Sequence, residues 1–179
     1  MSRPTALLLL ALAALAGGCG DDGQRLAGDD LPRSAARLRV SSPAFTDGSR
    51  LPQKYTCDGV GEEPAVRTGT VPPSTSELVL IVTDPDAPGG TYVHVTRYGL
   101  SPRADGSVDH GGREGRNSAG EDGWTPPCPP EGDDPHRYVW TVYALRHESG
   151  LEAGAEPDEV TAALEGVLAS GRIAARFGR

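Results

Sequence analysis

Two carboxylates stand where the most hydrophobic segment after the N-terminus ends. Residues 78–82 (LVLIV) predict a strand buried on both faces, because no polar residue interrupts them. Asp84 and Asp86 follow this strand, and Pro85 and Pro88 cannot donate the backbone hydrogen bonds that would continue it. Residues two apart in an extended chain point the same way, so we expect both carboxylates to leave the sheet edge on one face.

Two histidines and a tyrosine could work beside these carboxylates. His94 lies in residues 91–98, whose alternating β-branched and aromatic residues predict a strand. His136 begins residues 136–145, a second segment that is apolar on both faces, and Tyr138 follows it. A protonated imidazole donates a charge-assisted hydrogen bond to phosphate, and a tyrosine hydroxyl donates a neutral one. A carboxylate beside His94 is expected to raise the pKa of that histidine and keep it charged nearer neutral pH.

The same side chains allow other interpretations. Each aspartate could cap a turn by bonding nearby backbone, and each histidine could satisfy a buried carbonyl. A hydrolase could use Asp84, His94 and His136 as acid–base groups, although no Gly-x-Ser-x-Gly motif supplies a nucleophile. A zinc site from these three residues has no support from their spacing, since they lie on separate elements without a metal signature. We therefore predict no metal and no cofactor.

The N-terminal segment predicts export. Residues 1–18 contain one arginine and an apolar run that is too short to span a bilayer, as in a signal peptide. Small residues precede Cys19, as in a lipobox, so we expect cleavage before Cys19 and acylation of its thiol. The alternative is an ordinary signal peptide with a stray cysteine. Residues 19–37 predict a lipidated flexible tether, so the chain is expected to be a membrane-anchored lipoprotein of the bacterial cell envelope.

The charge of the chain argues against several classes of partner. The 179 residues carry a formal net charge of −8, and removal of the signal peptide leaves 16 basic against 25 acidic side chains. Such an acidic protein is a poor candidate for binding nucleic acid or anionic lipid through charge. Membrane association is therefore expected through the lipid anchor alone.

Residues 38–179 predict one domain that is mainly β. Further strands are expected at 37–42, 64–69 and 172–177, too close together for βαβ units. A helix is expected to begin at Pro157 and to end at Gly171. Residues 101–135 predict a long polar loop with almost nothing to enter a core, and loops of this kind are most often functional. The expected fold is an antiparallel β-sandwich with peripheral short helices.

Several motifs in order resemble the phosphatidylethanolamine-binding protein family, in its bacterial Raf-kinase-inhibitor-like branch. They are residues 55–59 (YTCDG), 84–88 (DPDAP), 90–94 (GTYVH), 127–130 (PCPP) and 136–145 (HRYVWTVYAL), with Asn117 and Gly120 between the third and the fourth. The resemblance implies a β-sandwich with an anion pocket at one end, lined by Asp84, Asp86, Pro88, His94, His136 and Tyr138. It implies a non-catalytic protein that binds a phosphate-bearing small molecule or lipid headgroup. Because some relatives inhibit serine carboxypeptidases, inhibition of a partner peptidase is a further expectation.

The chain departs from the family at positions near this pocket. Val95 and Thr68 stand where tryptophans are common, Gly99 replaces a usual asparagine, and Arg97 interrupts a normally apolar strand. Pro126 replaces a glycine and removes a backbone N–H that could have faced the anion. The mouth of the pocket is therefore expected to be reshaped.

Cysteine usage predicts one disulfide. With Cys19 committed to lipid, Cys57 and Cys128 remain, and both lie in segments that match the family. In an oxidising compartment this pair is expected to form a bridge, which would fasten the long loop to the edge of the sandwich. The alternative is two buried, reduced thiols.

Overall fold

The computed structural model describes residues 36–108 and 111–179, so the predicted signal peptide, Cys19 and the tether up to residue 35 lie outside the described residues. Within the described ranges the chain is mainly β, with one 3-10 turn at Gln53–Tyr55 and one helix, α1, at Pro157–Ala162. The strands are β1 (Ala36–Arg37), β2 (Val40–Ser41), β3 (Val66–Thr68), β4 (Glu77–Asp84), β5 (Tyr92–Leu100), β6 (Ser107–Val108), β7 (Arg113–Glu114), β8 (His136–Leu145) and β9 (Val167–Phe177).

The larger sheet has six strands in the order β1-β9-β8-β4-β5-β7. All neighbours are antiparallel except β1 and β9, which run parallel through Ala36 and Arg37. Every residue of β4 is buried, because this strand lies between β8 and β5 and is covered on both faces. The expectation that the apolar segments around residues 78–82 and 136–145 are central buried strands is confirmed.

The smaller sheet, β2-β3-β6, provides the second layer. Its Val66 and Val108 join one core cluster with Leu80 and Trp140 of the larger sheet, so apolar side chains of both sheets pack together. This arrangement confirms the predicted antiparallel β-sandwich with short helices.

Helix α1 covers the opposite face of the larger sheet. Its Val160, followed by Leu164, packs with Val79 and Tyr143 in a second core cluster. The helix is six residues long, so the expectation that it continues to Gly171 is wrong. No helix among the described residues is long and apolar enough to cross a membrane.

Tertiary pairing explains why the helix is short. Gly166 has φ +63, a left-handed conformation that turns the chain out of the helical segment. Val167 then pairs with Leu145, and β9 makes sheet hydrogen bonds that a helix at the same place could not make. Gly171 lies inside β9, where a Cβ atom would collide with the Leu38 carbonyl oxygen of the neighbouring chain segment.

Residues 101–135 are more ordered than the sequence predicts. They contribute β6 and β7 and a bridge between Arg116 and Asp122. Val108 enters the sandwich core, and Asn117 is almost fully buried, so the expectation that almost nothing here is buried is wrong for these two residues. Val108 pairs with the distant Val66 of β3, whereas the Asn117 side chain makes its hydrogen bonds within its own loop.

Candidate functional site

A buried carboxylate–imidazole pair lies where β4 ends and β8 begins. Asp84 is the last residue of β4 and 3% exposed, and His136 is the first residue of β8. The two atoms His136 Nδ1 and Asp84 Oδ2 are 2.7 Å apart. The carboxylate accepts this hydrogen bond from Nδ1–H, so it fixes the ring orientation and leaves Nε2 as the outward nitrogen. Asp84 Oδ1 also accepts a hydrogen bond from the backbone N–H of Asp86, the turn contact that one interpretation anticipated.

Asp86 does not share the buried face with Asp84. The chain turns after Asp84, which ends the extended alternation that would have kept the two side chains parallel. The Asp86 carboxylate accepts three hydrogen bonds from Arg137, at 2.6–2.8 Å. The donors are the backbone N–H and the side-chain nitrogens Nε and Nη2. These hydrogen bonds hold the pKa of Asp86 below its usual value. Pro88 is exposed in the same connection between β4 and β5. Asp86 and Pro88 therefore lie outside the buried Asp84–His136 pair.

His94 uses one ring nitrogen for structure and leaves the other without a partner. Its Nδ1–H donates to the Thr125 carbonyl oxygen at 2.7 Å, while the Thr125 N–H donates to the His94 carbonyl oxygen at 2.9 Å. The tautomer is thereby fixed, because a carbonyl only accepts. His94 Nε2 is buried and has no hydrogen-bond partner among the described residues.

The expectation that His94 stays charged nearer neutral pH is wrong. Burial lowers the pKa of His94, against smaller opposing effects of the Thr125 carbonyl and the Asp84 charge. The carboxylate that was expected to keep His94 charged makes its hydrogen bond to His136 instead. The neutral form of His94, in which Nε2 carries a lone pair, is therefore favoured.

Asn117 shapes the loop whose Thr125 carbonyl contacts His94. Its Nδ2 donates to Thr125 Oγ1 and to the Gly123 carbonyl oxygen, and its Oδ1 accepts from the N–H groups of Ala119 and Glu121. All of these bonds lie within residues 117–125, so one buried amide shapes the loop that presents the Thr125 carbonyl. The sequence marked Asn117 as a motif residue but did not indicate this role.

Tyr138 and other aromatic side chains surround His94. The ring of Tyr138 meets the His94 ring edge-on at 5.2 Å, and the rings of Tyr92 and Trp124 lie 4.8 and 5.9 Å from it. The hydroxyl of Tyr138 is buried beside the Asp84 carboxylate but makes no hydrogen bond of full geometry in the described chain. Burial, together with the nearby Asp84 charge, raises the pKa of Tyr138, so the hydroxyl remains a donor. Sequence reasoning missed Tyr92 and Trp124, although an aromatic residue in a polar loop was a usable signal.

The loop that carries Trp124 is fastened to the turn at residues 56–61. Cys57 and Cys128 form a disulfide with Cα atoms 5.3 Å apart, which confirms the predicted bridge. The Cys57 N–H donates to the Pro127 carbonyl oxygen, and Trp124 Nε1 donates to the Gly61 carbonyl oxygen, each at 3.0 Å. The bridge and these bonds fix one side of the site.

Arg97 and Gly99, two of the residues that depart from the family pattern, form their contacts with glutamate side chains. Arg97 is buried and pairs with Glu63 and Glu114 at 2.6 Å. Gly99 has φ +69, and its N–H donates to a buried carboxylate oxygen of Glu77. Both departures are therefore accounted for by a local network of charges and hydrogen bonds.

The site can bind an anion or move a proton. Its polar atoms are the Asp84–His136 pair, the unpartnered His94 Nε2 and the Tyr138 hydroxyl. In residues 36–108 and 111–179, no three His, Cys, Asp or Glu side chains form a cluster suited to a metal ion, so the zinc interpretation gains no support.

Comparison with known proteins identifies the relatives of this chain. The family model described as "Phosphatidylethanolamine-binding protein" matches residues 41–178. A Mycobacterium tuberculosis protein named as a candidate lipoprotein, LppC, is 37% identical over 169 residues, covering 85% of this chain and 84% of the relative. A Chlamydia trachomatis protein named UPF0098 is 38% identical over 138 residues, covering 72% of this chain and 90% of the relative.

Solved structures show the same fold. A candidate phosphatidylethanolamine-binding protein homologue from Chlamydia trachomatis, CT736, has a TM-score of 0.74 at 34% identity, covering 81% of this chain and 99% of its own. Escherichia coli YbcL, described as a new member of the mammalian family, has a TM-score of 0.70 at 28% identity, covering 80% of this chain and 99% of its own.

Proposed function

This chain belongs to the phosphatidylethanolamine-binding protein family, and we propose that it is a non-catalytic binding protein for a phosphate-bearing ligand. The ligand is a small molecule or a lipid headgroup whose phosphate lies between His94, His136 and Tyr138. Asp84 orients His136 for this contact through the 2.7 Å hydrogen bond at Nδ1.

The observation that carries the proposal is a pair of buried polar atoms without partners. A buried polar group that makes no hydrogen bond costs roughly 1–3 kcal/mol, so folded proteins rarely leave one without a reason. His94 Nε2 and the Tyr138 hydroxyl are two such atoms on rings 5.2 Å apart, beside the Asp84–His136 pair. A phosphate oxygen would satisfy the Tyr138 donor, and the protonated form of His94 would supply a second donor.

Ligand binding should therefore take up a proton at His94. The neutral ring can only accept a hydrogen bond at Nε2, whereas the imidazolium donates one and attracts an anion. Because burial lowers the pKa of His94 in the free protein and a bound anion raises it, the affinity depends on pH between these two values. The affinity is highest below the free-protein pKa and falls as the pH rises through this window.

We expect titration calorimetry with sulfate to show affinity rising by up to about tenfold per pH unit as the pH falls through the window. Sulfate keeps its charge over this range, whereas phosphate itself titrates near neutral pH. A pH dependence measured with sulfate therefore arises from the protein. Parallel titrations with phosphate and glycerophosphoethanolamine, and sedimentation with phosphatidylethanolamine vesicles, distinguish a free anion from a headgroup.

Variants locate the site in the same experiment. His94→Asn keeps an amide nitrogen that can donate to the Thr125 carbonyl but has no Nε2, so it should remove the pH dependence and weaken binding. His136→Ala should weaken binding at every pH, and the exposed His147→Asn serves as the matched control. Equal affinity in wild type, His94→Asn and His136→Ala would refute the proposed site.

Two other functions have less support. Hydrolysis through a cysteine nucleophile has no support in the described part of the chain, because Cys57 and Cys128 are joined in a disulfide. The Asp84–His136 pair alone does not favour catalysis over binding. Inhibition of a peptidase remains a prediction from the family resemblance.

We also propose that the chain is a lipoprotein of the bacterial cell envelope, anchored through Cys19. The apolar run and small residues before Cys19 support this, as does the name of the M. tuberculosis relative. Globomycin should cause the precursor to accumulate, and Cys19→Ala should shift the protein from the membrane to the soluble fraction. An intact mass that shows cleavage elsewhere and an unmodified Cys19 would contradict the anchor.

A further inference from the structure

A second carboxylate lies at the outward nitrogen of His136. Asp133 Oδ2 is 3.8 Å from His136 Nε2, close enough for an ion pair but beyond hydrogen-bond distance. The His136 side chain is 6% exposed, whereas the Asp133 side chain is 46% exposed. Asp133 therefore stands on the solvent side of the imidazole, opposite the buried Asp84.

The backbone around Asp133 is held by hydrogen bonds, while its side chain is about half exposed to solvent. The Gly132 N–H donates to the Arg179 carbonyl oxygen, and the Asp133 N–H donates weakly to the Pro130 carbonyl oxygen. Gly132 has φ +88, a conformation that allows the turn before Asp133. In the described chain, the Asp133 carboxylate has no side-chain partner except His136.

An incoming anion would need the place that Asp133 occupies. His136 Nδ1 is committed to Asp84, so Nε2 is the nitrogen that remains for a ligand. Arg137 cannot easily offset the charge, because it forms three hydrogen bonds to Asp86. A phosphate at Nε2 would meet a like charge a few ångströms away, which is unfavourable unless the carboxylate moves aside.

We propose that Asp133 is a specificity-determining residue that competes with anions for His136 Nε2. It acts as an internal carboxylate that must swing away when a phosphate group binds, and it sets the affinity of the site through this competition. The inference rests on the proposed function, since it assumes that the anion contacts His136.

The test is phosphate binding to four forms of the protein: wild type, Asp133→Asn, Asp134→Asn and His136→Ala. Asp133→Asn removes the charge with little change in shape, and we expect its affinity for inorganic phosphate to be about three- to tenfold higher than that of wild type. Asp134→Asn removes a neighbouring exposed charge that has no side-chain partner among the described residues, so it should change the affinity less than about twofold.

The direction of the effect separates competition from a structural role. If Asp133 only held His136 in place, its removal would weaken phosphate binding, and that result would overturn the inference. A second outcome is that His136→Ala loses phosphate binding while Asp133→Asn binds phosphate with the wild-type affinity. This result would overturn the inference about Asp133 and leave the proposed function intact. Absence of phosphate binding in both wild type and Asp133→Asn would overturn both.

Discussion

Reduction of the Cys57–Cys128 disulfide is expected to lower the free energy of unfolding by about 4 kcal/mol. The bridge joins residues 71 apart in sequence, so its loss gives the unfolded chain the entropy of a long open loop. The folded state also loses a tie between residues 124–128 and the turn at residues 56–61. The hydrogen bonds of the Cys57 N–H and Trp124 Nε1 would still join these two segments.

Urea denaturation with and without a phosphine reductant measures this effect. The Cys57→Ser, Cys128→Ser double variant is the control, because it should have the stability of the reduced protein and should not respond to the reductant. Hydrogen exchange is expected to rise first in residues 124–128, and phosphate affinity should fall before the sandwich unfolds, since the Thr125 carbonyl holds His94. A change in the free energy of unfolding below about 1 kcal/mol would show that the bridge stabilises the fold little.

Replacement of Asp84 by alanine should have the largest effect on binding. The substitution leaves the buried His136 imidazole without its partner at Nδ1, and breaking a buried pair of this kind costs about 3 kcal/mol. His136 then loses the hydrogen bond that fixes the orientation of its ring. We expect phosphate binding to become undetectable in Asp84→Ala by calorimetry, with the fold retained by circular dichroism.

A matched control separates the two contacts of Asp84. Asp105 Oδ1 accepts a hydrogen bond from the Ser107 N–H, two residues later, just as Asp84 Oδ1 accepts from the Asp86 N–H. Asp105→Ala therefore removes a turn contact of the same kind, together with a hydrogen bond from the Ser107 hydroxyl, at a carboxylate without a recorded histidine contact. It should lower the stability much less than Asp84→Ala does and leave phosphate affinity unchanged. Equal effects of Asp84→Ala and Asp105→Ala would show that the contact with His136 contributes nothing.

The sequence alone determined the layers of the fold and the position of the disulfide. Apolar residues on both faces of 78–82 and 136–145 required strands covered on both sides, and these are β4 and β8. The export predicted from residues 1–18 and the two remaining cysteines favoured a disulfide, and the bridge is present. These features depend on periodicity and on residue type, which are local properties of the chain.

Only the tertiary structure decided which polar groups meet and how they are charged. Asp84 and Asp86 look equivalent in sequence, but a turn between them directs one to His136 and the other to Arg137. Burial reversed the expected pKa shift of His94, and the pairing of Val167 with Leu145 made a strand of an apparent helix. Strand register and desolvation arise from contacts between residues far apart in the chain, and no local pattern of residues encodes them.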